Sequence, residues 1–190
     1  MDEPLSITTE QISSLAVWLA DEQAAHARKA DGPGSGIARP EQVRGRSGLE
    51  ILQAMLNGEI PYAAMGDTLG YTLISVGPGT AVFQGTPSPG LLNSIGTVHG
   101  GWYATLLDSA LGCAVYTLLP AGRAYTTAEL SVNLVRSVSL KTSRVRAEGK
   151  VIHCGRQLAT AEARLLGPDG TLYAHATTTC LVFDSPRLAT

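Results

Sequence analysis

The sequence predicts an α+β fold: a curved antiparallel sheet wrapped around one long buried helix, with a helical extension at the N-terminus. Three observations carry this. Apolar residues alternate with period two in several segments joined by tight-turn residues, the pattern of antiparallel hairpins. One helical stretch among them is apolar over half its girth, so it is buried rather than laid on a surface. The first 60 or so residues show helical spacing and capping signals instead of strand alternation.

Residues 8–30 form the first expected helix. Thr8 and Gln11 resemble a capping box, and Ile12, Leu15, Ala16 and Leu19 recur at helical spacing. Residues 31–46, rich in Gly, Pro and Arg, lack periodicity and are expected to be a flexible linker. Ser47 with Glu50 marks a second capping box, opening a short helix that Asn57-Gly58 ends. The division is therefore an extension over 1–59 and a folded domain over 60–185. In that domain Leu69, Tyr71 and Leu73 alternate in a first strand, and Thr80–Gly85 is its hairpin partner. A helix over about 98–118 is stopped by Pro120. Four strands follow, over 124–135, 143–153, 157–165 and 171–183. Gly155-Arg156 and Gly167-Pro168-Asp169-Gly170 are hairpin turns between the last three.

The chain has 190 residues, 44% hydrophobic and 16% charged, enough apolar material for one core. A net charge of −2 argues against nucleic acid or an anionic membrane as partner. Cys113, Cys154 and Cys180 are scattered without metal-ligand spacing, so no zinc site and no disulfide scaffold is expected. The acidic start MDEPLSITTEQ shows no secretory signal. The longest apolar run, Val98 to Leu119, is interrupted by His99 and Asp108, so no membrane span is expected. The expected location is cytoplasmic.

On the long helix, Trp102, Tyr103, Leu106, Leu107, Ala110, Leu111, Cys113, Ala114 and Leu118 form a wide apolar arc. Gly101, Ala104, Thr105, Asp108, Gly112 and Val115 form a narrow opposite stripe of mostly small residues, suited to close approach by a ligand or another backbone. Asp108 is a lone carboxylate in a buried helix. It is either a structural Asp satisfied by Ser or Thr neighbours, or a base or nucleophile in a cleft. His99 admits the same two readings, structural or catalytic. His99-Gly100-Gly101 opens the helix, where free N–H groups can receive an oxyanion and glycines allow close approach.

The run Asn93-x-x-Gly96-x-x-His99-Gly100-Gly101-x6-Asp108 resembles the hotdog-fold acyl-CoA thioesterases, nearest the phenylacetate-pathway and thioesterase-superfamily-member-2 type, over about residues 60–183. The resemblance implies that Asp108 activates water or attacks the thioester and that the Gly100 N–H polarises its carbonyl. It implies that Asn93 holds water or substrate and that Thr127 helps position the nucleophile. Strand parity, however, groups Thr127 with Glu129, Ser131 and Asn133, away from Ala128, Leu130, Val132 and Leu134 on the apolar face. A related type with Glu for Asp has a threonine one turn later, where this chain has Gly112. Gly101 is a candidate for substrate contact. Arg136, Lys150 and Arg156, at or near strand ends, are candidates for the CoA phosphates. No cofactor is implied, CoA being part of the substrate.

Gly100 and Asp108 stand about 12 Å apart along one helix axis. A donor and a carboxylate serving one carbonyl must both lie about 3 Å from it. Two antiparallel copies satisfy this, so a homodimer with shared active sites is expected, paired again into a tetramer as the resemblance implies. Trp102, Tyr103 and Tyr125 would suit an aryl or medium-chain acyl group. The alternatives are a hotdog hydratase or dehydratase, and a non-catalytic acyl-CoA sensor. Residues 8–30 form one mildly acidic helix rather than a basic helix-turn-helix, which speaks against a DNA-binding regulator.

Overall fold

Strand alternation sets the architecture. In a computed structural model describing residues 9–186 and 188, with side chains from residue 14 onward, six strands form one antiparallel sheet. They are β1 (Tyr71–Gly77), β2 (Thr80–Gly85), β3 (Arg123–Leu134), β4 (Val145–Cys154), β5 (Leu158–Leu166) and β6 (Leu172–Asp184). Their spatial order is β1-β2-β4-β5-β6-β3. Val145, Ala147 and Gly149 of β4, Ala159, Ala161, Ala163 and Leu165 of β5, and Ala174, Ala176, Cys180 and Val182 of β6 are buried on one face. The small side chains leave room for a helix to lie close.

That helix is α5 (Gly100–Tyr116). Trp102, Leu106, Leu107, Ala110, Leu111 and Ala114 pack on the sheet. The approach is tightest at Gly149, where a Cβ would stand 2.3 Å from the Ala110 carbonyl oxygen. Only glycine lets the helix backbone lie on β4 there. Val115, placed by the helical wheel on the small-residue stripe, is fully buried: the stripe passes into the core at its C-terminal end.

Four helices precede the sheet: α1 (Thr9–Asp31), α2 (Pro40–Val43), α3 (Gly48–Leu56) and α4 (Ala64–Leu69). The Thr8–Gln11 capping box lies outside the described residues. The Ser47–Glu50 box opens α3, Ser47 Oγ accepting from the Glu50 N–H and Glu50 accepting from the Ser47 N–H. α1 is fastened to the sheet face opposite α5. The Arg146 guanidinium lies 4.5 Å over the Trp18 ring and donates to Asp21 and Gln84. Arg144 donates to Glu22, which is 8% exposed and also accepts from Thr86. These basic strand residues anchor the extension instead of forming a solvated face.

Two expectations change. Residues 31–46 are not an unstructured linker: they include α2, bury Val43, and are tied down by Gly36 N–H to the Tyr62 carbonyl and Tyr62 N–H to the Gly34 carbonyl. Leu69 is not in the first strand. It ends α4, where Gly70 takes a left-handed conformation (φ 66°) that a side chain disfavours, and β1 starts at Tyr71. Among the described residues, no helix is long and apolar enough to cross a membrane.

Candidate active site

Asp108 lies midway along α5, half-buried. Thr127 Oγ1 donates to Asp108 Oδ1 at 2.9 Å. Plain strand alternation points Thr127 away from the helix; a bulge reverses this. Thr127 pairs with Cys180 and Glu129 with Thr179, so Ala128 has no opposite residue. The extra residue changes the parity of β3 at that point. Tyr125 and Thr127 face α5 before the bulge, and Leu130 and Val132 face it after. Ala128, expected on the apolar face, is exposed instead. The carboxylate is therefore held by one oxygen, and among the described residues no side chain donates to the other.

Asp108 borders a cavity of about 260 Å³ between α5, β1, β2, β3 and the helices α3 and α4. Ser109, one residue on, donates to the Thr105 carbonyl at 2.8 Å, and its oxygen meets the Tyr71 hydroxyl at 3.3 Å. Cys113 and Tyr125 complete this side. Burial pushes the Cys113 thiol up to about 12, against a smaller lowering from its hydrogen bond with Tyr125. At neutral pH it is a neutral thiol and no nucleophile. Burial likewise raises the Tyr125 and Tyr71 hydroxyls, so both stay protonated donors. Gly112 makes room for Tyr125: a Cβ there would meet the phenolic oxygen at 2.5 Å.

The helix start holds the other predicted residues. His99 is the N-cap of α5, its Nδ1 accepting from the Gly101 N–H at 2.9 Å. This occupies the Gly101 amide and turns the ring toward its own backbone. His99 is also about 13 Å along the axis from Asp108, so the two do not pair within one chain. The Gly100 N–H has no partner among the described residues and is the free donor of the first turn. Asn93 is engaged locally: Oδ1 accepts from the Ile95 and Thr97 N–H groups and Nδ2 donates to Thr97 Oγ1. It shapes the loop entering α5, and within one chain it does not reach Asp108.

The three basic candidates are not brought together. Arg136 follows β3 at one end of the sheet, its N–H on the Tyr173 carbonyl. Arg156 lies in the β4–β5 turn at the other end, its carbonyl accepting from Arg123. The nine-residue β5 between those ends spans about 30 Å. Lys150 lies on the sheet face away from α5, opposite Glu162 and Thr80. Strand-end position alone could not tell which end of the sheet carries the site. Sequence reasoning missed Ser109 and the cavity wall supplied by α3 and α4, which only the tertiary fold brings to Asp108. Among the described residues, no cluster of three or more His, Cys, Asp or Glu could hold a metal.

Comparison with known proteins bears on the family and the fold. Residues 95–174 match the family model described as the thioesterase superfamily. A search of curated proteins finds no match. Among solved structures, a thioesterase family protein of Silicibacter pomeroyi is 27% identical with TM-score 0.60, over 64% of this chain and 90% of that one. A phenylacetic acid degradation-related protein of Ralstonia eutropha is 28% identical with TM-score 0.62, over 68% and 97%. A further thioesterase superfamily protein is 33% identical with TM-score 0.56, over 63% and 89%. With its wrapped helix, matching central segment and these likenesses, the chain belongs to the thioesterase superfamily and has the hotdog fold.

Proposed function

We propose that the chain hydrolyses an acyl-CoA or aryl-acyl-CoA thioester to the free acid and CoA. One observation carries the reading: Asp108, on a buried helix, is steadied by Thr127 on one oxygen while bordering a cavity lined by apolar and aromatic side chains. A carboxylate so placed can take a proton from water as water adds to the carbonyl carbon. It can equally attack that carbon itself and be released by water. In either case the C–S bond breaks, the carbonyl carbon gains a hydroxyl from water, and the sulfur leaves as CoA thiol with the remaining proton.

The developing oxyanion needs a donor. The free Gly100 N–H at the start of α5 suits this, but it lies about 12 Å along the axis from Asp108 of the same helix. The reading therefore pairs Gly100 of one copy with Asp108 of a second, antiparallel copy. β3 lies at the sheet edge and is available for such pairing. Asn93 supports the donor by fixing the loop into α5. CoA enters with the substrate and the reaction as drawn needs no metal, so turnover is expected to survive EDTA.

The test is thiol release from a panel of acyl-CoAs. Wild type is expected to hydrolyse at least one of them, and Asp108→Asn to lose about 10²-fold or more in kcat. Turnover by Asp108→Asn within a few-fold of wild type would remove Asp108 from the mechanism. CoA binding without thiol release across the panel would favour a sensor instead.

A further inference from the structure

We propose that Tyr71 is a further catalytic residue. Its hydroxyl oxygen and the free carboxylate oxygen of Asp108 accept the two protons of the attacking water and so aim that water's lone pair at the thioester carbonyl. The inference rests on the thioester-hydrolase reading above and adds to it the residue that orients the nucleophile.

The protons around Asp108 can be counted. Ser109 carries one hydroxyl proton and touches two oxygens, the Thr105 carbonyl at 2.8 Å and the Tyr71 hydroxyl at 3.3 Å. A carbonyl only accepts, so Ser109 donates across the shorter contact and its proton is spent there. Across the longer contact the donor is then Tyr71, whose proton points at Ser109 Oγ. Burial raises the Tyr71 hydroxyl above its ordinary range, so that proton is present at neutral pH. What Tyr71 has left for the cavity is a lone pair. Asp108 is in the same position. Thr127 donates to Oδ1, and among the described residues no side chain donates to Oδ2. Tyr71, Ser109 and Asp108 border one cavity, yet among the described residues no hydrogen bond joins Tyr71 directly to Asp108. Two acceptors with no proton between them suit a molecule that brings two, and a bridging water does.

Water held this way keeps its lone pairs for the carbonyl carbon. As the O–C bond forms, the proton facing Asp108 passes to Oδ2, and the proton facing Tyr71 stays on the new hydroxyl. When the C–S bond breaks, the sulfur takes the proton from Asp108 and leaves as CoA thiol. Tyr71 itself neither gains nor loses a proton. The fold sets its ring in place beforehand. The left-handed Gly70 ends α4 so that β1 begins at Tyr71, which pairs with Gly85 of β2. A Cβ on Gly66 would stand 2.6 Å from the Tyr71 carbonyl oxygen, so α4 lies directly on this residue. The ring meets Phe83 edge to face, with centroids 5.9 Å apart and planes at 65°. Tyr71 lies outside the family-matched residues 95–174, whereas Asp108 and Thr127 lie within them.

The experiment measures thiol release from acetyl-, hexanoyl-, palmitoyl- and benzoyl-CoA. The best substrate is then carried through Tyr71→Phe, Ser109→Ala and the double variant, with near-ultraviolet circular dichroism to verify folding. Tyr71→Phe keeps the ring and is expected to lower kcat about tenfold with KM little changed. In Ser109→Ala the Tyr71 proton loses its acceptor and turns to Asp108 Oδ2. A donor favours the charged carboxylate, so the acid limb of the kcat profile should move to lower pH by about half a unit or more. Cys113, Tyr125 and Cys180, the other groups that feel Asp108, are raised by burial and stay neutral across that limb. The double variant has no such proton to turn, and its limb should return to the wild-type position. A single turnover with enzyme in excess, in water labelled with heavy oxygen, should label the acid product. Tyr71→Phe with wild-type kcat, an unmoved limb in Ser109→Ala, or unlabelled acid from that first turnover overturns the role of Tyr71 and leaves the hydrolase reading intact. No thiol release from any of the four substrates sinks both.

Discussion

Thr127 and Asp108 meet through a single neutral-to-charged hydrogen bond of 2.9 Å, and such bonds are worth about 1.5–3 kcal/mol. Loss of this donor lets the carboxylate rotate away from its working position. Thr127→Val is therefore expected to lower kcat about tenfold or more with little change in KM, and Thr127→Ser to restore most of it. Equal turnover in the valine and serine variants would show that the hydroxyl contributes nothing to catalysis. Cys113 gives a prediction of a different kind. Its thiol titrates near 9.0 when free and near 12 when folded, so between those values the native chain binds more protons than the unfolded one. Stability then falls as pH rises through that window. Thermal melts from pH 8 to 11 should show a shallower decline for Cys113→Ala than for wild type; parallel curves would refute it. Asp108 stood out as a charge on an apolar helix, and the family resemblance pointed to Thr127 as its partner; strand alternation spoke against Thr127 because one bulged residue at Ala128 reverses the parity of the strand.

At the scale of elements, periodicity carried the reading wherever packing follows local pattern. The four strands after α5 lie within two residues of their expected ends, because tight turns at Gly155 and Gly167–Gly170 bound the last three and alternation distinguishes their faces. The reading stopped where a long-range contact decides. Leu69 alternates with Tyr71 and Leu73, yet the left-handed Gly70 cuts it off and Trp102, 33 residues away, takes its carbonyl. The clamps of Arg144 on Glu22 and Arg146 on Asp21 span 122 and 125 residues, and no local window reveals them. Gly149 tests the helix–sheet packing directly. A methyl group there would collide with the Ala110 carbonyl, so Gly149→Ala is expected to destabilise the fold by about 1–3 kcal/mol in urea unfolding. A variant as stable as wild type would mean that α5 can lift off β4 at no cost.

For the molecule as a whole, the reading of a shared site has a direct test. Asn93→Ala disturbs the loop that presents the Gly100 amide, and Asp108→Asn removes the carboxylate. Co-refolded in equal amounts, half of the dimers should be mixed, each with one intact and one doubly damaged site. Activity should then rise from near zero to about a quarter of wild type. Verified mixed dimers that stay inactive would place each complete site within one chain. The sheet order has one more consequence. β3, with twelve residues, borders β6 on one side and no strand on the other among the described residues. A long unpaired border of amides and carbonyls invites adhesion to whatever strand comes near, unless a matching copy covers it first. On the shared-site reading, where a second copy supplies that cover, dilution would act as a mild denaturant by stripping it through mass action. The melting temperature is expected to climb with protein concentration, and solutions thinned to where the cover dissociates should lose protein to aggregates on warming sooner than concentrated ones.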